Sequence, residues 1–525
     1  MTPSSKTPLG WALMACASLA LSVAGQAAAA PSNRACENRV NDNVSRLLEC
    51  IQEAPLFAHL VDFQKISDQN PGSDGHGNRD TGKPGYKASV DYVAALMKQA
   101  GYRVTIQSFV FTDFAVTGAP AFVAAGHDYA VGRDWFVARL SGRGAPTAPV
   151  QPVGGLATTP GADSRGGCSR RDFAGFTPGN IALIQRGGCD LDAKVANAEA
   201  AGAAGAIIFN HDGLFDQAST RGTPGQGAAY PANLQNLARI PVVAVASYAV
   251  GSDLYRQYMA GLAPTAHLDI QTRTDSGAVD YNVIADSPFG DPKHVVVVDA
   301  HLDAIYGAGI LDNASGSATI LEVALKLAKT PTLNQLRYIW FGGEEIGLHG
   351  SKFYTRNLTP AELARIVFDI DSDVTATPNY DILVADPRFA YNVQLFPPNV
   401  VPGSKPGNDY FIDYFHAKRL PVRNASFGND GTDSNSFSLV GVPNSGILTQ
   451  QDCCKPEKEV DIWGGFKGNY EGDIPSFNGG CVDQPHRWCD NLTNIAPYVL
   501  EFVSKGFAYV TFKLANNASI DHAAK

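Results

Sequence analysis

Apolar residues recur at helical spacing between residues 36 and 69, where Val40, Leu47, Leu48 and Ile51 mark the pattern. NPGSDGHGNRDTGKPG, at 70–85, breaks it with a loop dense in Gly, Pro, Asn and Asp. YKASVDYVAALMKQAGY then reads as an amphipathic helix that stops at Gly101, and RVTIQSFVF as a strand. Further along, unbroken apolar runs replace periodic ones: KHVVVVDAHLD, LRYIWFGG, ARIVFDIDSD and the SGIL of 445–448. A run that is apolar on both sides fits a strand covered on both faces. SATILEVALKLAKT reads as a helix, as do residues 495–515. Strands alternating with helices predict an α/β fold with a doubly wound, mostly parallel sheet and helices on both faces.

The pattern changes between about 116 and 276, where Gly, Ala, Pro and Thr become abundant, as in GRGAPTAPVQPVGGLATTPGA. Within this stretch GNIALIQRGGCDLDAKVANAEAAGAAGAIIFNHDG reads as strand, turn, helix, strand. ARIPVVAVASYAVGSDL adds a strand and a helix. The chain therefore divides into a first part of the main domain at 31–115, an inserted β-rich α/β module at 116–276, and a second part at 277–525.

Composition narrows the class. The chain has 525 residues, 45% hydrophobic and 18% charged, with a net charge of −10. That permits a large core and argues against nucleic acid or an anionic membrane as partner. No stable membrane association is expected. Residues 1–30 carry Lys6 as their one charge, followed by an apolar run and a small-residue end, the layout of a secretory signal peptide. A secreted or periplasmic location follows. Nine cysteines are present, and Cys16 lies in the signal. Eight remaining in an exported chain suggest disulfides. Sequence neighbours suggest Cys36–Cys50 and Cys168–Cys189, while Cys453, Cys454, Cys481 and Cys489 allow three pairings.

The chemistry gathers at strand ends. VVVVDAHLD finishes in His301 and Asp303, and the loop after it carries Asp312. LRYIWFGG leads to the adjacent Glu344 and Glu345, and IVFDIDSD carries Asp369 and Asp371. His486 stands in a late loop, CVDQPHRWC. A lone Glu-Glu pair is ordinarily a solvated sheet edge, and a lone HLD a structural histidine with a capping aspartate. Imidazole and carboxylates at several strand ends of one sheet instead make a site for zinc or a similar divalent ion. His349 and His76 read as packing or surface residues.

HLD, LDNASGSA, FGGEEIGLHGS, FDI and a late histidine in a Cys-bounded loop, in this order, resemble the exported dinuclear zinc aminopeptidases of the leucyl-aminopeptidase and aminopeptidase Y type. NRDTGKPGYKASVDYVAALMKQAGY resembles the start of their catalytic domain, and IALIQRGGCDLDAKVANAEAAGAAGAIIFN resembles a protease-associated (PA) domain. The resemblance implies two zinc ions per chain. His301 and Asp369 would bind one, Glu345 and His486 the other, and Asp312 both. Asp303 would orient the His301 ring, and Glu344 would be the general base. The substrate would be the N-terminus of a peptide or protein. Asn313, although in an Asn-x-Ser match, reads as active-site loop and not as a glycan acceptor.

Three places depart from the family pattern. Pro485 stands where a tyrosine commonly precedes the late histidine. FDIDSD replaces the usual FDMIG, which makes Asp371 a competing ligand. GTDSNSF, at 431–437, matches the substrate-side loop loosely. Two rival readings share the fold: an inactive receptor-like binding protein, and a related zinc carboxypeptidase or glutaminyl cyclase.

Overall fold

The computed structural model describes residues 31–72, 75–154, 156, 164–211, 227, 229, 232–390, 392–425, 432–450, 453–470 and 490–520. The proposed signal at 1–30, Pro485, His486 and the sulfurs of Cys453, Cys454, Cys481 and Cys489 fall outside this description.

Among the described residues the main domain is built on an eight-stranded sheet. Its order is Arg103–Val116, Thr272–Asp286, Asn334–Phe341, Asp291–His301, Ile366–Ser372, Asn444–Leu448, Leu383–Ala385, Arg423–Ala425. The four strands from Asn334–Phe341 to Asn444–Leu448 run parallel. The valine run of Asp291–His301 explains its central place. Val296 and Val298 face a large core with the helices Glu53–Gln69, Pro84–Gln99, Ser315–Leu327 and Pro497–Ala515. Val295 and Val297 face a smaller core with Tyr354 and Phe437. Burial on both faces is what a continuous apolar strand encodes.

The chain leaves the strand ending in His301, pairs on one side with Asn334–Phe341 and then crosses to pair on the other with Ile366–Ser372. This reversal is a topological switch point, and the crevice beyond the carboxyl ends of such strands is where α/β sheets bind ligands.

The helical reading of 36–69 resolves into three pieces, Asn33–Asn38, Val44–Leu48 and Glu53–Gln69. The breaks have local causes. Asn41 is buried and its amide donates to the carbonyls of Cys36 and Lys326. Asn43 caps the second piece by accepting from Arg46 N. The Cys36–Cys50 disulfide closes this segment, and Cys168–Cys189 closes a loop of the insert. Opening the first bridge, with Cys36→Ala and Cys50→Ala together, should cost about 3 kcal/mol for a loop of this length. Urea unfolding of the variant checks it. Activity should be unchanged, because the segment packs at the Lys326 end of its helix, whereas the strand-end residues adjoin the Ser315 end.

A second, seven-stranded sheet lies between Ala121 and Asp269 in sequence. Its parallel part pairs Thr147–Pro152, Ile181–Gln185, Gly205–Phe209 and Val242–Ala246. The chain enters it from Arg103–Val116 and returns on Thr272–Asp286, and these two strands pair antiparallel along their length.

Candidate metal centre

His301 is the last residue of its strand and is buried. Its Nδ1–H donates to the backbone carbonyl of Asp303 at 3.0 Å, and the Asp303 carboxylate lies 3.6 Å from the same nitrogen. That leaves Nε2 facing outward, 2.9 Å from an Asp312 oxygen and 3.4 Å from an Asp373 oxygen. Two groups could each hold an ion with ligand atoms within 4.8 Å of one another: His301 with Asp312 and Asp373, and His301 with Glu344 and Glu345. The strand ends thus bring together four of the residues singled out from sequence, His301, Asp312, Glu344 and Glu345, with Asp303 behind them.

Each carboxylate is fixed by a local device. Asp312 sits on the loop between the His301 strand and the next helix. Asp490 accepts from Leu311 N at 2.6 Å and from Asp312 N at 3.1 Å. Arg79, fully buried, donates to the carbonyls of Leu302, Ala308 and Gly309 and so pins the start of the same loop. Asn313 joins this loop to the end of Ile366–Ser372: its amide donates to Ser372 O, and its oxygen accepts from Gly316 N and Val374 N. Asn313 is fully buried with both side-chain atoms engaged, as expected of loop structure and not of a glycan acceptor.

Glu344 and Glu345 open the turn that follows Asn334–Phe341. A Cβ at Gly342 would lie 2.3 Å from the Tyr86 hydroxyl, so the glycine lets the strand end pass close to that ring. The Asp303 carboxylate accepts from Glu344 N at 3.2 Å, Glu345 N at 3.4 Å and Thr81 Oγ1 at 2.7 Å. Asp303 therefore does more than the sequence suggested: its carbonyl orients the imidazole while its carboxylate holds the Glu-Glu turn.

Asp369 requires a correction. It is fully buried two strand positions short of Asp371, and it does not join His301. It interacts instead with Asp299, and burial pushes both carboxyls well above their ordinary range. Asp371 likewise stays within the strand. The residue that reaches the rim is Asp373, the first after the strand ends at Ser372. The alternation FDIDSD puts Asp369, Asp371 and Asp373 on one face, and only the last lies beyond the sheet. Sequence reasoning missed Asp373, Asp490, Thr81 and Arg79. The rule that ligands sit at carboxyl ends would have singled out the last aspartate of the three. His349 stays outside the group; burial first of all pushes its pKa down to about 4. His76 is exposed.

The electrostatics favour a cation. Burial works against charge on His301, but Asp373 and Glu344 outweigh it and push the ring's pKa well above its usual value. Burial also raises Glu344 well above the carboxylate range, with His301 pulling the other way. An oxygen of Asp373 is buried with no hydrogen-bond partner among the described residues. One imidazole and four carboxylates in a small volume are an oxygen-rich, imidazole-bearing donor set that a divalent ion such as zinc fits, taking over the proton's role on Nε2.

Comparison with known proteins places the chain in a family. Residues 282–511 match peptidase family M28, and residues 147–254 match the PA domain. An aminopeptidase of Pseudomonas aeruginosa is 32% identical over 542 aligned residues, covering 98% of this chain and 93% of that protein. A probable lipoprotein aminopeptidase of Mycobacterium tuberculosis is 30% identical, covering 86% and 83%. Among solved structures, an aminopeptidase from Aneurinibacillus sp. strain AM-1 superposes with a TM-score of 0.66 at 21% identity, over 92% of this chain and 98% of that one. A zinc aminopeptidase from Bacillus subtilis does so with a TM-score of 0.58 at 21% identity, over 90% and 97%. The solved structures speak for the shared fold; the Pseudomonas relative, matched along nearly its whole length, shows that this chain belongs to peptidase family M28 and carries a PA domain within it.

Proposed function

We propose that the chain is an exported zinc aminopeptidase that removes residues one at a time from peptide N-termini, with Glu344 as general base. The observation that carries this is the convergence of His301 Nε2 with the carboxylates of Asp312, Asp373, Glu344 and Glu345 at one switch point. His301, Asp312, Glu345 and Asp373 would hold the metal. His486 is kept as a further ligand on the sequence resemblance alone, and with it the count of two ions. The names of the full-length relatives support the aminopeptidase assignment. The Cys36–Cys50 and Cys168–Cys189 bridges support an oxidising compartment.

Zinc held there by His301, Asp312, Glu345 and Asp373 would supply Lewis acidity toward the substrate carbonyl and the attacking water. The protein supplies the rest. Glu344 takes the proton of the attacking water and returns it to the leaving amine, and a carboxyl whose proton affinity is raised by burial suits that exchange. Asp303 keeps His301 in one tautomer and the Glu-Glu turn in one position. The surplus of carboxylates favours a substrate with a free, protonated α-amine, which selects N-termini over internal peptide bonds. A receptor-like binding protein would not need Glu344 beside an intact His301–Asp312 pair.

Treating the mature protein with a chelator should lower its turnover of aminoacyl p-nitroanilides by on the order of 10³-fold, and zinc add-back should restore it. The residue preferred in the panel names the specificity. No turnover of any member by folded, zinc-loaded protein would refute the aminopeptidase reading.

A further inference from the structure

Among the described residues, the stretch 232–236 of the insert meets the catalytic turn, and it is pinned inside the insert at both ends. At one end Arg139 N donates to Ala232 O at 3.0 Å, and Leu234 N donates to Arg139 O at 3.2 Å. At the other, the Asp192 carboxylate accepts from Gln235 N, from Asn236 N at 2.8 Å and from the Asn236 amide at 3.0 Å. Leu234 between them is buried among Phe136, Ala138 and Leu140. From this fixed stretch the Asn233 side-chain amide donates to the backbone carbonyl of Glu345 at 3.0 Å. The Gln235 amide lies against Gly347, where a Cβ would come within 3.0 Å of it.

The turn needs such a brace. Gly343, Gly347 and Leu348 all have positive φ, of 70°, 117° and 60°. Gly347 N and Leu348 N both donate to Glu344 O, so the turn's own bonds hold Glu344, while the carbonyl of Glu345 takes a hydrogen bond from Asn233. Asp303 holds the turn from the sheet side through the two N–H groups, and Asn233 holds it from the insert side through the carbonyl.

We propose that Asn233 is a positioning residue of the catalytic centre, through which the inserted domain holds the Glu344–Glu345 turn so that both carboxylates face His301. The insert is then a strut of the active site and not a movable lid. The inference rests on the roles given above to Glu344 and Glu345.

The test uses the full mature chain with Asn233→Ala, Asn233→Asp and Asp192→Ala. Asn233→Ala removes the donor, Asn233→Asp sets a carboxylate against the carbonyl, and Asp192→Ala loosens the stretch without touching the turn. Expected for Asn233→Ala is a fall in kcat of about tenfold with KM changed less than twofold, the same for a p-nitroanilide and a long peptide. Asn233→Asp should fall further, and Asp192→Ala should fall in the same sense. Zinc affinity, read by competition with a chromophoric chelator, should weaken about tenfold in Asn233→Asp, because Glu345 is displaced. Arg256→Ala, at an exposed position of a helix of the insert, should match wild type in both readouts. Unchanged kcat and zinc affinity in both Asn233 variants would overturn the proposal. So would an effect confined to KM that grows with peptide length, which is the behaviour of a lid. Wild-type turnover tests the underlying aminopeptidase reading separately, and the zinc competition still reads the strut if that turnover is nil.

Discussion

Glu344→Gln is expected to lower kcat by about 10³-fold while the protein keeps its zinc. General base catalysis by a positioned side chain contributes about 10²–10⁴-fold, and glutamine keeps the size of the group while removing its ability to take a proton. Glu345→Gln should behave differently. If Glu345 binds metal, its amide weakens zinc affinity, and activity returns in part at high zinc. Both glutamates approach His301 closely enough to act as ligands, so zinc content is the readout that separates their roles. The Asp303 carboxylate holds both backbone N–H groups, which keeps either substitution from collapsing the turn. The measurement is kcat and KM on an aminoacyl p-nitroanilide, with zinc content determined on the same samples. Loss of zinc in Glu344→Gln with retention in Glu345→Gln would exchange the two assignments.

The contrast between what could be read from the chain and what could not follows from the range of the interactions. Val295–Val298 are apolar at every position because neighbours cover both faces, so the central strand is visible locally. His301, Glu344 and Glu345 stand where apolar strand runs stop and Asp312 in the loop that follows the first of them, and the position at the rim is itself the signal. The residues that hold them are different in kind. Arg79 binds carbonyls more than two hundred positions away, and Asp490 reaches back to Leu311 and Asp312. A lone Arg or Asp in a loop gives no local sign of such a role. Asn233 is the extreme case, since its partner belongs to another domain. The three-piece start of the main domain was hidden for a related reason: helical spacing persists across 36–69, but a disulfide and a buried asparagine interrupt the backbone.

Asp373→Asn is expected to weaken zinc binding by at least about 100-fold, and Asp369→Asn to leave it within about threefold of wild type. Loss of a partner that merely supports a ligand costs 10–100-fold in affinity, so loss of a ligand itself sets that as a floor. The opposite expectation for Asp369 comes from its surroundings. It is fully buried in the strand, and burial raises its carboxyl and that of Asp299, with which it interacts, so the site favours a proton over a bound cation. An amide replaces a protonated carboxyl at nearly equal size and still offers a donor. Asp373, by contrast, sits past the end of the strand with one oxygen 3.4 Å from His301 Nε2. Removing its charge also weakens the strongest support for charge on that ring. Chelator competition on the two variants, with activity measured at saturating zinc, compares them directly. Zinc loss in Asp369→Asn with retention in Asp373→Asn would return the ligand role to the residue that the FDI motif suggests. It would also mean that the strand shifts by four positions, about 13 Å along its axis, when metal binds. The Asn313 bonds to Ser372 and Val374 and the register of Asp369 against Val297 oppose a movement of that size.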